Sequence, residues 1–411
     1  MTTDFDALHE IAATARGEFL FPPAPSGGDV LYFAGHSLGL QPRQAREFVL
    51  RELDDWARWG VEGHFKPETG WFRYHELLTE PTARLVGALP SEVVVMNTLT
   101  VNLHLMMVSF YRPTARRYRI VIEGGAFPSD RHAVDSQARF HGHDPADAVV
   151  ELKPREGEFT LRTSDILATL HELGDTVALV LLGQCNFLTG QAFDVPVLRA
   201  ATHGIGAVFG LDLAHGAGNL HLSLHDWQVD FAVWCNYKYL NAGPGGLGGV
   251  FVHQRHAESE LPRFAGWWGH DKSSRFRMGP GFQPIPGAEG WQLSNPPILQ
   301  LAALRASMAL FDRVGMAALR ARAEVLTARL EARLDALGVP ILTPREPAAR
   351  GTMLTVRLPD AATVVERLAA KGVVVDLRQP DVVRMAPAPL YTRLADVDAL
   401  ADRLEECLHG R

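Results

Sequence analysis

Lys238 lies between two tyrosines in WCNYKYLNAGPGG (residues 234–246), after an apolar strand-like run and before a glycine-rich turn. A lysine at the mouth of a buried strand either does chemistry or holds something negatively charged; the plainer readings are a solvated surface lysine or a structural ion pair. Asp212 sits in a second apolar run, VFGLDLAHGAGN, 26 residues earlier, a spacing that suits a crossover returning to one sheet. An amine and a carboxylate at strand ends of the same sheet can bracket a flat aromatic ligand. Pyridoxal phosphate needs that pair. Its carbonyl carbon forms a Schiff base with a lysine, and a carboxylate keeps its pyridine nitrogen protonated so that the ring draws electrons.

Other chemistries fit less well. Gly243, Gly245 and Gly248 spell G-x-G-x-x-G, but a strand-like GGVFVH follows where a dinucleotide fingerprint needs a helix N-terminus. A tight turn leading away from the lysine accounts better for these glycines. The sequence contains no GxxxxGK[ST], HExxH or CxxC pattern. Asp212 and His215 have metal-ligand spacing but no evident third ligand, so no metal is expected.

The elements that must position Lys238 and Asp212 are legible around them. Between residues 83 and 255, EVVVMN, RIVIEGGAF, VALVLLGQ, AVFGLDLAH, DFAVWCN and GGVFVH read as buried strands, and TSDILATLHELG and VPVLRAATHGIG as helices between them. This alternation implies a mostly parallel sheet covered by helices, whose ligands lie beyond the carboxyl ends of its strands. Phe127, Asp212 and Lys238 all follow strand ends. Pro42 opens a helix on which Ala45, Phe48, Val49, Leu53 and Trp56 keep a 3.6-residue period. From about residue 297 the chain turns to long helical material, interrupted at most once near Gly315. TMLTVRL, GVVVDLR and DVVRMAP then read as strands of a smaller αβ domain, with helices at 360–371 and 395–408. The expected division is an N-terminal segment, 1–55, packing with the small domain; a large domain, 56–300; and a small domain, 301–411.

Composition bounds the function classes. The chain has 411 residues, 47% hydrophobic and 21% charged, which suits a large globular α/β protein rather than a disordered one. A net charge of −7 argues against bulk binding to nucleic acid or anionic membranes. The three cysteines, Cys185, Cys235 and Cys407, show no paired spacing and suit reduced thiols, so a cytoplasmic location is expected. The longest apolar runs, such as VALVLLG, are of strand length rather than membrane-spanning length.

Seven stretches in order, HSLGLQP (36–42), NTLTVNLH (97–104), AFPSD (126–130), LDLAHGAGN (211–219), NYKYLNAGPGG (236–246), SNPPIL (294–299) and RMAPAPLY (384–391), together resemble the kynureninase family. The resemblance implies fold type I of the pyridoxal-phosphate enzymes, the aspartate aminotransferase superfamily. It implies hydrolysis of L-kynurenine or 3-hydroxy-L-kynurenine to an anthranilate and L-alanine, in tryptophan breakdown and NAD biosynthesis. Carried across residue by residue, Lys238 would bond the cofactor, Asp212 would partner its ring nitrogen, and Phe127 would stack on the ring. Leu99, Thr100, Ser129, Asp130 and His215 would touch ring or phosphate. Tyr237 would hydrogen-bond the phosphate and serve as an acid during carbon–carbon cleavage. Trp267 and Asn295 would reach a neighbouring subunit's cofactor, which implies a homodimer with shared sites. Arg384 would clamp the substrate's α-carboxylate, and Ser37, His64 and Asn295 would surround its aromatic end.

The chain departs from the family's usual pattern at His36, where Asn is common, at Gly183, where some members carry Ser, and in GPGG, which more often contains Ala. None of these removes a catalytic group. The rivals are another fold type I enzyme (an aminotransferase, a desulfurase, or a hydrolase of ring-substituted kynurenines) and a non-catalytic protein on this fold. A desulfurase needs a mobile nucleophilic cysteine, and a dead homologue should have lost Lys238 or Asp212.

Overall fold

The computed structural model describes residues 15–66 and 68–409. Its centre is a seven-stranded sheet of β1 (Val93–Met96), β2 (Arg119–Glu123), β3 (Val149–Leu152), β4 (Val177–Gly183), β5 (Val208–Asp212), β6 (Phe231–Cys235) and β7 (Gly248–Val252), in the spatial order β1-β7-β6-β5-β4-β2-β3. The pairs from β6 across to β3 are parallel. Only β7 runs against its neighbours, joining β6 to β1. The strands read as apolar runs because they are buried on both faces. Val93 and Val95 enter one hydrophobic core while Val94 and Met96 enter another, and Leu211 and Val233 divide in the same way.

The helices that matter to the site are α1 (Arg43–Trp59), α2 (Leu99–Phe110), α3 (Pro128–Phe140), α4 (Thr163–Leu173), α5 (Val195–Gly204), α6 (Ile298–Val314), α7 (Met316–Ala336), α8 (Ala361–Ala370) and α9 (Leu394–Leu408). The long helical stretch breaks once, at Gly315, whose φ of 81° suits a residue without a side chain. Beyond it, β8 (Leu354–Arg357), β9 (Asp376–Arg378) and β10 (Val382–Met385) form a three-stranded antiparallel sheet in the order β8-β10-β9. Leu326, Leu330 and Leu334 of α7 and Val397, Leu400 and Leu404 of α9 bury against this sheet in a third core.

The amino-terminal part of the described chain touches both regions. Leu31–Tyr32 pairs in parallel with Val373–Val374, Arg16 Nη1 donates to Asp396 Oδ2 at 3.1 Å, and α1 packs along α6. Residues 1–14 of the expected 1–55 segment, and 410–411 of the C-terminal one, lie outside the described residues.

Two details differ from the sequence reading. Residues 149–152 form the strand β3 at the sheet edge, where short, half-polar EL follows VV and weakens the strand signal. On α1 the apolar stripe is covered only in its first half: Ala45 is buried and Phe48 and Val49 partly so, but Trp56 is 62% exposed. There the helix turns Glu52 inward instead, where its Oε2 accepts from Trp71 Nε1 at 2.8 Å.

Candidate active site

Parallel strands end together, so β2, β4, β5 and β6 deliver Glu123, Gly183, Asp212 and Cys235 to one edge of the sheet, and β1 leads directly into α2 there. A cleft at that edge is lined by Leu99, Thr100, Phe127, Ser129, Asp130, Asp212, His215, Tyr237 and Lys238. Those nine positions came from four different sequence motifs.

Lys238 lies just beyond β6, half-buried, with Nζ 5.7 Å from the centroid of the Phe127 ring. Among the described residues no carboxylate lies within salt-bridge distance of Nζ, so the structural ion pair that sequence alone left open does not form. Phe127 precedes the first turn of α3 and is 40% exposed. One edge of its ring is braced by Phe187, centroids 5.3 Å apart and nearly perpendicular. A core phenylalanine would be covered; this one presents a ring to the cleft.

The carboxylates lie deeper. Asp212 closes β5, is buried, and its Oδ1 accepts from Ala214 N at 2.6 Å. The Asp130 carboxyl lines the same cleft as that of Asp212. Burial first, then the charge of Asp212, pushes the Asp130 group well above the usual carboxylate range. Asp130 Oδ1 is shut off from solvent without a hydrogen-bond partner. His215 is buried and held neutral by desolvation and then by the positive charges of Lys238 and Arg384, with Tyr239 Oη 3.5 Å from its Nδ1. Burial raises the Tyr237 hydroxyl as well, and that keeps its proton in place at neutral pH.

These residues fit the cofactor expected from the sequence. A free amine, an exposed aromatic face and the buried Asp212 carboxyl, with the unpartnered Asp130 Oδ1 in the same cleft, meet the needs of the aldehyde, the ring and the ring nitrogen. Leu99 and Thr100 are the first two residues of the twelve-residue helix α2, whose opening N–H groups have no partners within the helix and suit a phosphate.

The remaining predicted residues do not line the cleft. Arg384, on β10, is fully buried next to it: Nη1 donates to Phe187 O at 2.6 Å, and Nε and Nη2 lie 2.8 and 2.7 Å from Asp376 Oδ1. Ser37 is half-buried in a turn two residues before Gly39, whose N–H donates to Tyr237 O at 2.9 Å. His64 packs edge-on against Trp71, centroids 5.5 Å apart. Trp267 is 38% exposed with Nε1 donating to Arg275 O, and Asn295 is exposed.

Sequence reasoning missed four residues at or beside the cleft: Glu123, Asn186, Phe187 and Asp376. Only Asn186 carried a signal, since Asn-x-x-Thr-Gly marks a turn in which its Oδ1 accepts from Leu188 N and Thr189 N. Elsewhere, Glu92, His225 and His253 bring possible metal-ligand atoms together. The Glu92 oxygens already accept from Leu89 N and Gln254 N, which explains that cluster as a buried cap.

Comparisons with known proteins identify the chain's relatives. A sequence profile of the kynureninase C-terminal domain matches residues 319–404. The chain is 62% identical to a kynureninase of Myxococcus xanthus, over 95% of this chain and 93% of that one. It is 57% identical to a kynureninase of Koribacter versatilis, over 93% and 91%. Among solved structures, a cysteine desulfurase of Thermococcus onnurineus NA1 superposes with a TM-score of 0.78 at 18% identity, covering 97% of this chain and 98% of that one. A lysine-to-alanine mutant of C-DES, with glycine covalently linked to its PLP cofactor, gives 0.80 at 18%, covering 95% and 99%. At that identity the solved structures speak for the fold alone, which is fold type I; the sequence relatives speak for more. The chain belongs to the kynureninase family.

Proposed function

We propose that the protein hydrolyses L-kynurenine, with or without a 3-hydroxyl on its ring, to the corresponding anthranilate and L-alanine, using pyridoxal 5′-phosphate. The observation that carries this is the cleft itself, where the Lys238 amine lies 5.7 Å from the centroid of the exposed Phe127 ring and the Asp212 and Asp130 carboxyls line the same space, in a chain whose relatives are kynureninases over most of its length.

When bound, the cofactor supplies an electron sink that stabilises negative charge at the substrate's α-carbon. Lys238 Nζ would hold its aldehyde carbon and, as a free amine, would take the substrate's α-proton as general base. Asp212 would hold the ring nitrogen protonated, and Asp130, whose carboxyl burial and then the charge of Asp212 push well above the usual range, would support Asp212. Phe127 would stack on the ring, and Leu99, Thr100, Ser129 and His215, which line the same cleft, would hold the phosphate and ring edge. The Tyr237 hydroxyl, its proton secured by burial, would donate as water adds to the γ-carbonyl and the carbon–carbon bond breaks. Arg384 takes the α-carboxylate through its planar fork.

Trp267, Asn295 and His64 stand away from the cleft of their own chain, which supports a homodimer in which they serve the partner's site, with Ser37 near the substrate's aromatic end. A cytoplasmic location and a place in NAD biosynthesis are part of the same reading. Among the described residues no helix is long and apolar enough to cross a membrane.

The desulfurase alternative is disfavoured by the thiols. All three cysteines are buried, and burial pushes Cys185 up to about 12 and Cys235 to about 11, so neither is a ready nucleophile. The test is a paired assay of the cofactor-loaded protein with L-kynurenine and with 3-hydroxy-L-kynurenine, quantifying aryl acid and alanine. One mole of each product per mole of substrate is expected. A cofactor spectrum that responds to amino acids while neither kynurenine is cleaved would overturn the substrate and leave the cofactor chemistry standing.

A further inference from the structure

Glu123 ends β2 inside the cleft, and no step above uses it. It is buried, and each carboxylate oxygen takes one strong hydrogen bond from the segment that follows β4: Oε1 from Gly183 N at 2.7 Å and Oε2 from Asn186 Nδ2 at 2.6 Å. Asn186 then shapes the turn through Leu188 N and Thr189 N. Phe187, between these anchors, touches the site twice. Its ring braces Phe127, and its carbonyl receives Arg384 Nη1. The following carbonyl, of Leu188, accepts from Thr355 Oγ1 of β8 at 2.6 Å, so the same segment fastens the small sheet to the large one.

The consequence for Arg384 can be counted on its five N–H groups. Asp376 Oδ1 occupies the edge formed by Nε and Nη2, and Phe187 O takes one N–H of Nη1. One N–H on each of Nη1 and Nη2 remains to meet a carboxylate. Held by Asp376 through Nε and Nη2 and by Phe187 O through Nη1, the guanidinium is fixed before substrate arrives. Gly183 belongs to the same arrangement: a Cβ there would lie 2.8 Å from Glu123 Oε1. The glycine that departs from some relatives is the residue that lets the carboxylate lie against the strand end.

We propose that Glu123 is a positioning residue for substrate-carboxylate binding, holding the 183–188 segment through Gly183 N and Asn186 so that Phe187 fixes Arg384 and braces Phe127. This rests on the functional reading above only in taking Arg384 as the carboxylate clamp.

The test uses the cofactor-loaded enzyme and two variants, Glu123→Gln and Asn186→Ala. In the first, a side-chain amide of equal shape turns an N–H toward a donor; in the second, the Oε2 bond and the turn are lost. Two readouts are taken: kcat and KM with L-kynurenine, and the affinity for L-alanine read from the cofactor's absorption without turnover. Both variants are expected to raise KM and to weaken L-alanine binding by about tenfold, with kcat changing less than KM. The double variant is expected to be no worse than the poorer single one, since both act on one segment. L-Alanine affinity unchanged in both variants overturns the proposal, as does a fall in kcat at constant KM. If Glu123→Gln does not fold, Asn186→Ala decides alone by the same criteria. If the wild type fails to cleave kynurenine yet the variants still lose L-alanine affinity, the positioning role stands and the substrate reading falls.

Discussion

At the scale of single residues, the chemistry was the most legible part of the sequence. Lys238 and Asp212 announced themselves because an ionisable group at the end of an apolar strand is costly unless used. Lys238→Ala is expected to lower release of anthranilate by at least about a thousandfold with the circular-dichroism spectrum unchanged; normal steady-state activity would remove Lys238 from the mechanism. Asp212→Asn is expected to slow exchange of the substrate α-proton with deuterated solvent far more than it lowers bound cofactor, and wild-type exchange would count against the electron-sink role. Glu123 was not legible as a site residue, since it lay within the strand run RIVIEGGAF and belonged to no motif. Burial, with the charge of Asp212 adding to it, raises its carboxyl from an ordinary 4.5 to about 7 against the hydrogen bonds from Asn186 and Gly183. The folded state therefore holds this proton more tightly than the unfolded chain does. The stability the group contributes is full below about pH 4.5 and is lost as pH rises through about 7. Denaturant unfolding of wild type and Glu123→Gln should show the variant gaining ground between about pH 5 and pH 8, by up to about 3 kcal/mol. A difference flat across that window would refute the raised value.

At the scale of elements, strand runs buried on both faces were read from their apolar content, and the break at Gly315 from a glycine in otherwise helical text. What could not be read was anything fixed by pairing between distant segments. Nothing in GVVVDLR says that Val373–Val374 takes Leu31–Tyr32 as its partner while Asp376 turns to Arg384. Nor does the period of α1 reveal that its second half turns Glu52 rather than Trp56 inward. The strand ends β2 and β4 give the element-scale prediction. Gly183→Ser places a side chain against Glu123 Oε1, and is expected to cost about 1–3 kcal/mol in denaturant unfolding and to weaken L-alanine binding in the direction of Glu123→Gln. Unchanged stability and affinity would show that the carboxylate yields freely.

At the scale of the whole molecule, the residues that stayed outside the cleft carry the prediction. Trp267 and Asn295 lie away from Lys238 of the same chain, and the exposed Trp56, Val61 and Phe65 leave an apolar surface that a monomer would show to water. A dimer is expected in sedimentation equilibrium, twice the 45.1 kDa of one chain. Mixing Lys238→Ala with Asn295→Ala protein, each inactive, is expected to restore activity that neither has alone; a mixture as inactive as its parts would refute shared sites. The pairing of Leu31–Tyr32 with Val373–Val374 bears on a different matter, the order in which the chain is made. At about 5–20 residues per second, a ribosome needs on the order of tens of seconds to reach the second strand after releasing the first. Through that interval Leu31, Tyr32 and Phe33 have no sheet to join. The newborn chain must keep Leu31–Phe33 in reserve until Val374 has emerged.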